Sequence, residues 1–306
     1  MSCSTRIEYD FFDSILTYLE KEEKVKVDTT PLNNRDNCNS FSKMYTPKHI
    51  QAGEDICKLF IKLYTSLTDI KSKGDPNYEK DWRFLNYWLN INISKRKLNG
   101  TTCATNFTEG FSNHCMNTFI LIDFSSDKIY NIREQDLNKM NLLYGLYENY
   151  RKLNNILTTK PQNKPDLLLE PSTKCCSYYV EANYLCNGKD NKFCRELKKF
   201  ETKYKGLYDT VDGKGPEYTN SFKRLTQCDN NTMSTALIGT TVGLVPLLVG
   251  IYKFTPLGQL FNPNKRKFTQ KYKSNDDKMR NIVLMDQECE HISSQQGTYN
   301  IKYHSV

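Results

Sequence analysis

No stretch near the start of the chain is apolar enough for a secretory signal. The opening MSCSTRIEYDFFDSILTYLEKEEK lacks an apolar core of about 7–15 residues and a small-residue cleavage site. A standard secretory leader is therefore not expected, and any translocation of the downstream chain has to rely on another targeting signal. Histidine is scarce, with four in the whole chain, and none lies near the densest cysteine cluster. That cluster, Cys175, Cys176, Cys186 and Cys194, also lacks the closely spaced cysteine pairs that shape a tetrahedral zinc site, so disulfides are the favoured reading. The Gly213-Lys214-Gly215 turn has no third glycine and no preceding strand, which argues against a dinucleotide loop. His114 stands beside Cys115, but neighbours on a helix point about 100° apart and do not make a nucleophile and base pair unaided. No other grouping resembles an active site, so neither catalysis nor a cofactor or metal is expected.

What is present is one long uncharged run. Ser234 to Tyr252 (STALIGTTVGLVPLLVGIY) holds nineteen consecutive residues without a charge, close to the ~20 that cross a bilayer core as a helix. Pro246, Gly239, Gly243 and Gly250 would weaken a soluble helix but are common in membrane helices. Asp229 precedes the run, whereas Lys253, Lys265, Arg266, Lys267, Lys271 and Lys273 come after it with no acid among residues 253–273. This asymmetry places the C-terminus in the cytosol. The juxtamembrane cations also suit an anionic inner leaflet. Gly239 and Gly243 form a GxxxG pair, the only feature that speaks for a homo-oligomer through helix packing.

The formal charge of +8 is shared equally between the parts before and after this run. A surplus of that size over some 230 residues is no nucleic-acid footprint. Ten of the eleven cysteines precede the run, and only Cys289 lies beyond it. Such a one-sided set suggests an oxidising compartment and at least three disulfides. The candidates are Cys38, Cys57, Cys103, Cys115, Cys175, Cys176, Cys186, Cys194 and Cys228, with Cys3 near the terminus set aside. Their connectivity is not readable from spacing. Lysine outnumbers arginine 33 to 10 beside 30 asparagines and 20 tyrosines, the mark of an AT-rich coding sequence.

Helical periodicity dominates residues 1–228. It predicts helices over 7–24, 47–72, 78–94, 111–124, 127–157 and two within 173–211. Trp82, Leu85 and Trp88 share one face of the third, and paired tryptophans in that arrangement read as core. The segments 28–47, 99–109, 158–172 and 212–218 read as loops, the third broken by Pro161, Pro165 and Pro171. Four glycosylation sequons, beginning at Asn92, Asn99, Asn106 and Asn230, carry no weight in a chain so rich in asparagine. The fold class expected is all-α: a disulfide-pinned helical ectodomain (1–228), a membrane segment (229–253, core 234–252) and a basic, polar cytosolic tail (254–306).

Several features then coincide: a cysteine-spaced helical domain, the WRFLNYWLN block at 82–90, one late apolar run, and YKFTPLGQLF at 252–261. Together they resemble the Plasmodium interspersed repeat (PIR) family, in its vivax-type VIR branch. The most specific pieces are Phe254 to Gly258 and the Leu85 to Asn90 segment. The resemblance implies a variant surface antigen of a malaria parasite, exported without a standard signal to the infected red cell or kept at parasite membranes. It implies immune evasion, with host receptors or antibodies as partners beside the lipid bilayer, and it supplies no catalytic residues. Two rival readings stand beside it: an adhesin for a host receptor, which needs a contiguous exposed patch, and a membrane-anchored scaffold whose N-terminal domain is cytosolic and whose thiols are reduced.

Overall fold

The structure, a computed structural model, describes residues 7–32, 37–67, 74–100, 102–115, 128–159, 164–186, 188 and 190–228. Among these the chain is all-helical and contains no strand. They divide into two compact units that meet in sequence at Asn141 and Leu142.

The first unit begins with a 3-10 helix (Asp10–Ser14) leading into α1 (Ile15–Val27), then α2 (Cys38–Tyr45), α3 (Ile50–Ser66), α4 (Tyr78–Lys95) and α5 (Ala104–His114). Helix α3 packs against α1, α2 and α4, and α2 also lies on α5. Its core is aromatic. Phe41 stacks at 5.1 Å on Phe111, which stacks in turn at 4.7 Å on Phe60. Phe60 approaches Trp88 at 6.2 Å, and Tyr64 approaches Trp82 at 6.0 Å. Both tryptophans are buried, as the shared helical face predicts. Removing a side chain of this size from a packed core costs about 3–5 kcal/mol, so this cluster fixes the unit more firmly than any single polar contact. Gly110 allows the crossing of α2 and α5, because a Cβ there would meet the Phe41 ring at 2.4 Å.

Helix α2 corrects the loop expected over 28–47. Its sequence, CNSFSKMY, has poor intrinsic propensity, but the Asn37 side chain caps it by accepting from the Ser40 amide at 2.8 Å. The Cys38–Cys57 bridge and the burial of Phe41 supply what propensity does not. Helix α5 likewise occupies most of the expected 99–109 loop, held by Phe107 and Phe111.

Helix α6 (Glu134–Thr158) carries the chain across the boundary. The second unit continues with a 3-10 helix (Pro165–Leu168), α7 (Leu169–Cys186), α8 (Lys192–Lys205), α9 (Tyr208–Asp212), α10 (Pro216–Ser221) and a last 3-10 turn (Leu225–Gln227). Pro171 was expected to interrupt helix, yet it lies third in α7. In the first turn the missing N–H has no helical acceptor to lose, so proline is tolerated there. Rings of Tyr147, Phe200, Tyr204 and Phe222 form the core of this unit, with centroid separations of 5.2 Å, 5.6 Å and 5.4 Å along the series.

No helix among the described residues is long and apolar enough to cross a membrane. The run 234–252, with Gly239 and Gly243, lies outside them, as do Lys253, Lys265, Arg266, Lys267, Lys271 and Lys273.

Candidate functional site

Three disulfides tie the helices together. Cys38 at the start of α2 is bonded to Cys57 in α3. In the second unit Cys186, the last residue of α7, is bonded to Cys194 in the first turn of α8. Cys176 in α7 is bonded to Cys228, so α7 is stapled at one point to α8 and at another to the segment that leads into the apolar run. Of the 175–194 cluster, Cys186 and Cys194 pair with each other, Cys176 pairs with Cys228 beyond it, and Cys175 stays unbridged.

Three of the nine bridge candidates lie outside these pairs. Cys175 is a buried free thiol whose Sγ faces the Leu146 carbonyl at 3.7 Å. Adjacent helical positions point about 100° apart, so when Cys176 faces Cys228 its neighbour is turned into the core. Burial pushes the Cys175 thiol well above the usual range, which makes it inert. Cys103 sits where α5 begins, with its Sγ 3.2 Å from Thr105 Oγ1. Cys115 places its Sγ 3.6 Å from that of Cys57, and the sulfurs of Cys38, Cys57 and Cys115 all lie within 4.8 Å. While Cys38–Cys57 stands, two of those three sulfurs are committed to each other and offer no thiolate to a metal. His114 rests its ring edge-on against Tyr45 at 6.0 Å, a packing role.

A cleft of about 710 Å³ opens in the first unit between α3 and the chain after α1. Its charges are matched in place: Lys62 with Asp28 at 3.2 Å, Arg96 with Asp55 at 3.2 Å, and Lys58 with Glu54 at 2.6 Å. Hydrogen bonds from Thr30, reinforced by Lys62, hold the Asp28 carboxyl at about 2, below its usual 3.8. Among the described residues that line it, these pairs match the charges of α3 and Arg96 within the cleft itself.

The segment that leads to the apolar run is anchored by polar groups as well as by sulfur. Tyr204 donates its hydroxyl to the Lys223 carbonyl at 2.7 Å, and the Leu225 amide donates to the Tyr208 hydroxyl at 3.0 Å. Arg224 lies 4.8 Å over the Tyr208 ring while pairing with Asp212 at 2.5 Å. Gly215, at φ +101°, makes the turn between α9 and α10, which is the structural use of the Gly-Lys-Gly triplet.

Residues 209–306, which include this anchored segment, the apolar run and the basic tail, match the family model described as Plasmodium vivax Vir protein. Over that last third the chain is similar to the Vir family. The match covers the last third and takes in Phe254 to Gly258, the motif on which the resemblance chiefly rests; α1 to α8 precede it. No curated protein and no solved structure matches the chain.

Two features of the chain are not apparent from its sequence pattern. Asn86 and Asn90 on α4 are buried, and between them they accept the amides of Tyr130 and Ile132 at 3.0 Å each. Asparagines four apart on a strongly apolar helix are the one signal that points to them. The second is the outer face of α8, where Lys192, Arg195, Lys198, Lys199, Lys203 and Lys205 are all exposed, interrupted only by Thr202. The hydrophobic periodicity of this segment marks its buried side, and the uniform sign of the opposite face emerges only once the helix is laid out.

Proposed function

We propose that this Vir-family chain is a variant surface antigen, with residues 1–228 displayed outside a parasite or infected-cell membrane, 234–252 as the anchor and 254–306 in the cytosol. The observation that carries this reading is the family match over 209–306, which joins the anchored end of the helical part to the apolar run and the lysine-rich tail. Three bridges on the N-terminal side of that run support the same topology, because disulfides persist in oxidising compartments and are rare where glutathione keeps thiols reduced. Display asks for a stable core and replaceable surface. The aromatic cores and staples supply the first, and exposed loop residues such as 29–31 and 99–100 supply the second.

The test is protease treatment of intact infected cells, with subsequent detection by antibodies to each end of the chain. Surface display gives loss of the N-terminal part and survival of a membrane fragment bearing the basic tail. Full protection of the N-terminal part in intact cells, with cleavage only after permeabilisation, would instead favour the cytosolic scaffold.

A further inference from the structure

Helix α8 differs from the other long helices in how it presents charge. In α1 the exposed lysines alternate with exposed acids, as in Lys24 with Glu20 at 2.7 Å. In α6 and α7 the same i,i+4 compensation recurs, Lys152 with Glu148 at 3.5 Å and Lys174 with Glu170 at 2.6 Å. On α8 the two acids are less exposed than the cations: Glu196 is buried, and the half-buried Glu201 accepts from the Tyr179 hydroxyl at 3.1 Å. Six cations remain on the outer surface, separated by one to four residues along the fourteen-residue helix, a length of about 20 Å. Arg195 is shared with the exposed Asp190 at 2.9 Å, Lys199 with Glu196 at 2.8 Å, and Lys203 lies 5.7 Å over the Tyr150 ring. Among the described residues Lys198 and Lys205 have no carboxylate partner.

We propose that this face docks a linear sulfated glycan on a host cell surface, a reading that rests on the surface display argued above. The uniform sign selects a polyanion. The length of the row suits an extended chain of sulfate groups better than a single anion, each sulfate accepting charge-assisted hydrogen bonds. The inner face of α8, Phe193, Leu197, Phe200 and Tyr204, is committed to the core, so the helix has no apolar side with which to enter a bilayer. The anionic leaflet of a membrane is the cytoplasmic one, whereas the Cys186–Cys194 bridge that starts α8 belongs on the oxidising side. No aromatic ring interrupts the exposed row, so the stacking platform of a single-stranded nucleic acid reader is missing.

The experiment uses the full chain in neutral-lipid nanodiscs, with immobilised heparin as the probe and ionic strength as a variable. Wild-type protein should bind, with affinity falling as salt rises. Lys198→Glu combined with Lys205→Glu should weaken binding by about tenfold or more. Lys24→Glu, on the mixed face of α1, should leave it unchanged. Retained helical circular dichroism and an unchanged non-reducing peptide map establish that the double variant is folded. Absence of binding by the wild type, equal binding by the double variant, or capture by phosphatidylserine vesicles with no binding to heparin would each overturn the proposal. The protease experiment on intact cells reads topology without reference to charge, so failure of glycan binding and failure of surface display are told apart.

Discussion

At the scale of single residues, a buried asparagine adds to the aromatic cores through several hydrogen bonds at once. Asn90 donates to the Asn86 and Tyr130 carbonyls at 2.9 Å and 3.0 Å while accepting the Ile132 amide. Truncating it would orphan backbone groups of the 130–132 segment, each at about 1–3 kcal/mol. Asn90→Ala should therefore destabilise the protein by about 2–4 kcal/mol in urea unfolding; a change under about 0.5 kcal/mol, the level of an ordinary surface substitution, would show that the network is ornamental. Asp28 makes a prediction in pH. Its folded-state value, about 2, lies below the ordinary 3.8, so its contribution to stability is fully present above pH 3.8 and is lost as pH falls towards 2. The stability gap between wild type and Asp28→Asn should be widest above pH 5 and close on acidification; a gap that grows on acidification would contradict the assigned hydrogen bonds from Thr30.

At the scale of elements, the bridges rank by the loops they close. Cys176–Cys228 spans 52 residues and Cys186–Cys194 spans 8. On chain-entropy grounds the first contributes about 4 kcal/mol and the second about 2.5. Replacing both cysteines of each pair with serine and comparing urea midpoints should reproduce that order, and the reverse order would locate the stabilisation elsewhere. The long helices are legible in the sequence because their apolar period is sustained: α4 spans Tyr78–Lys95 where periodicity gives 78–94. Short helices are not. Helices α2 and α5 are rich in Asn, Ser and Thr, and they exist because Phe41, Phe107 and Phe111 meet across them and Cys38 reaches Cys57. Those are contacts between residues distant in sequence, invisible to a local window. The pairing of the cysteines is hidden for the same reason. That Cys175 stands apart while Cys176 is bridged is a matter of which side of α7 each occupies, not of their spacing.

For the molecule as a whole, the similarity to the Vir family lies in the C-terminal third, while the described structure lies almost entirely upstream of it. The two halves of the functional reading meet at Cys228, bridged to α7 and only a few residues before the apolar run. Among the described residues, the α8 face, the matched charges of the cleft and the aromatic cores are the features that set what surface the body presents. Whether that body faces an oxidising exterior decides the matter most directly. Non-reducing peptide mapping of protein isolated from native membranes, with thiols alkylated before digestion, should find Cys38 joined to Cys57, Cys176 to Cys228 and Cys186 to Cys194, with Cys175 unbridged. Recovery of those six bridge cysteines as alkylated thiols would contradict display outside the membrane and place the helical units in the cytosol.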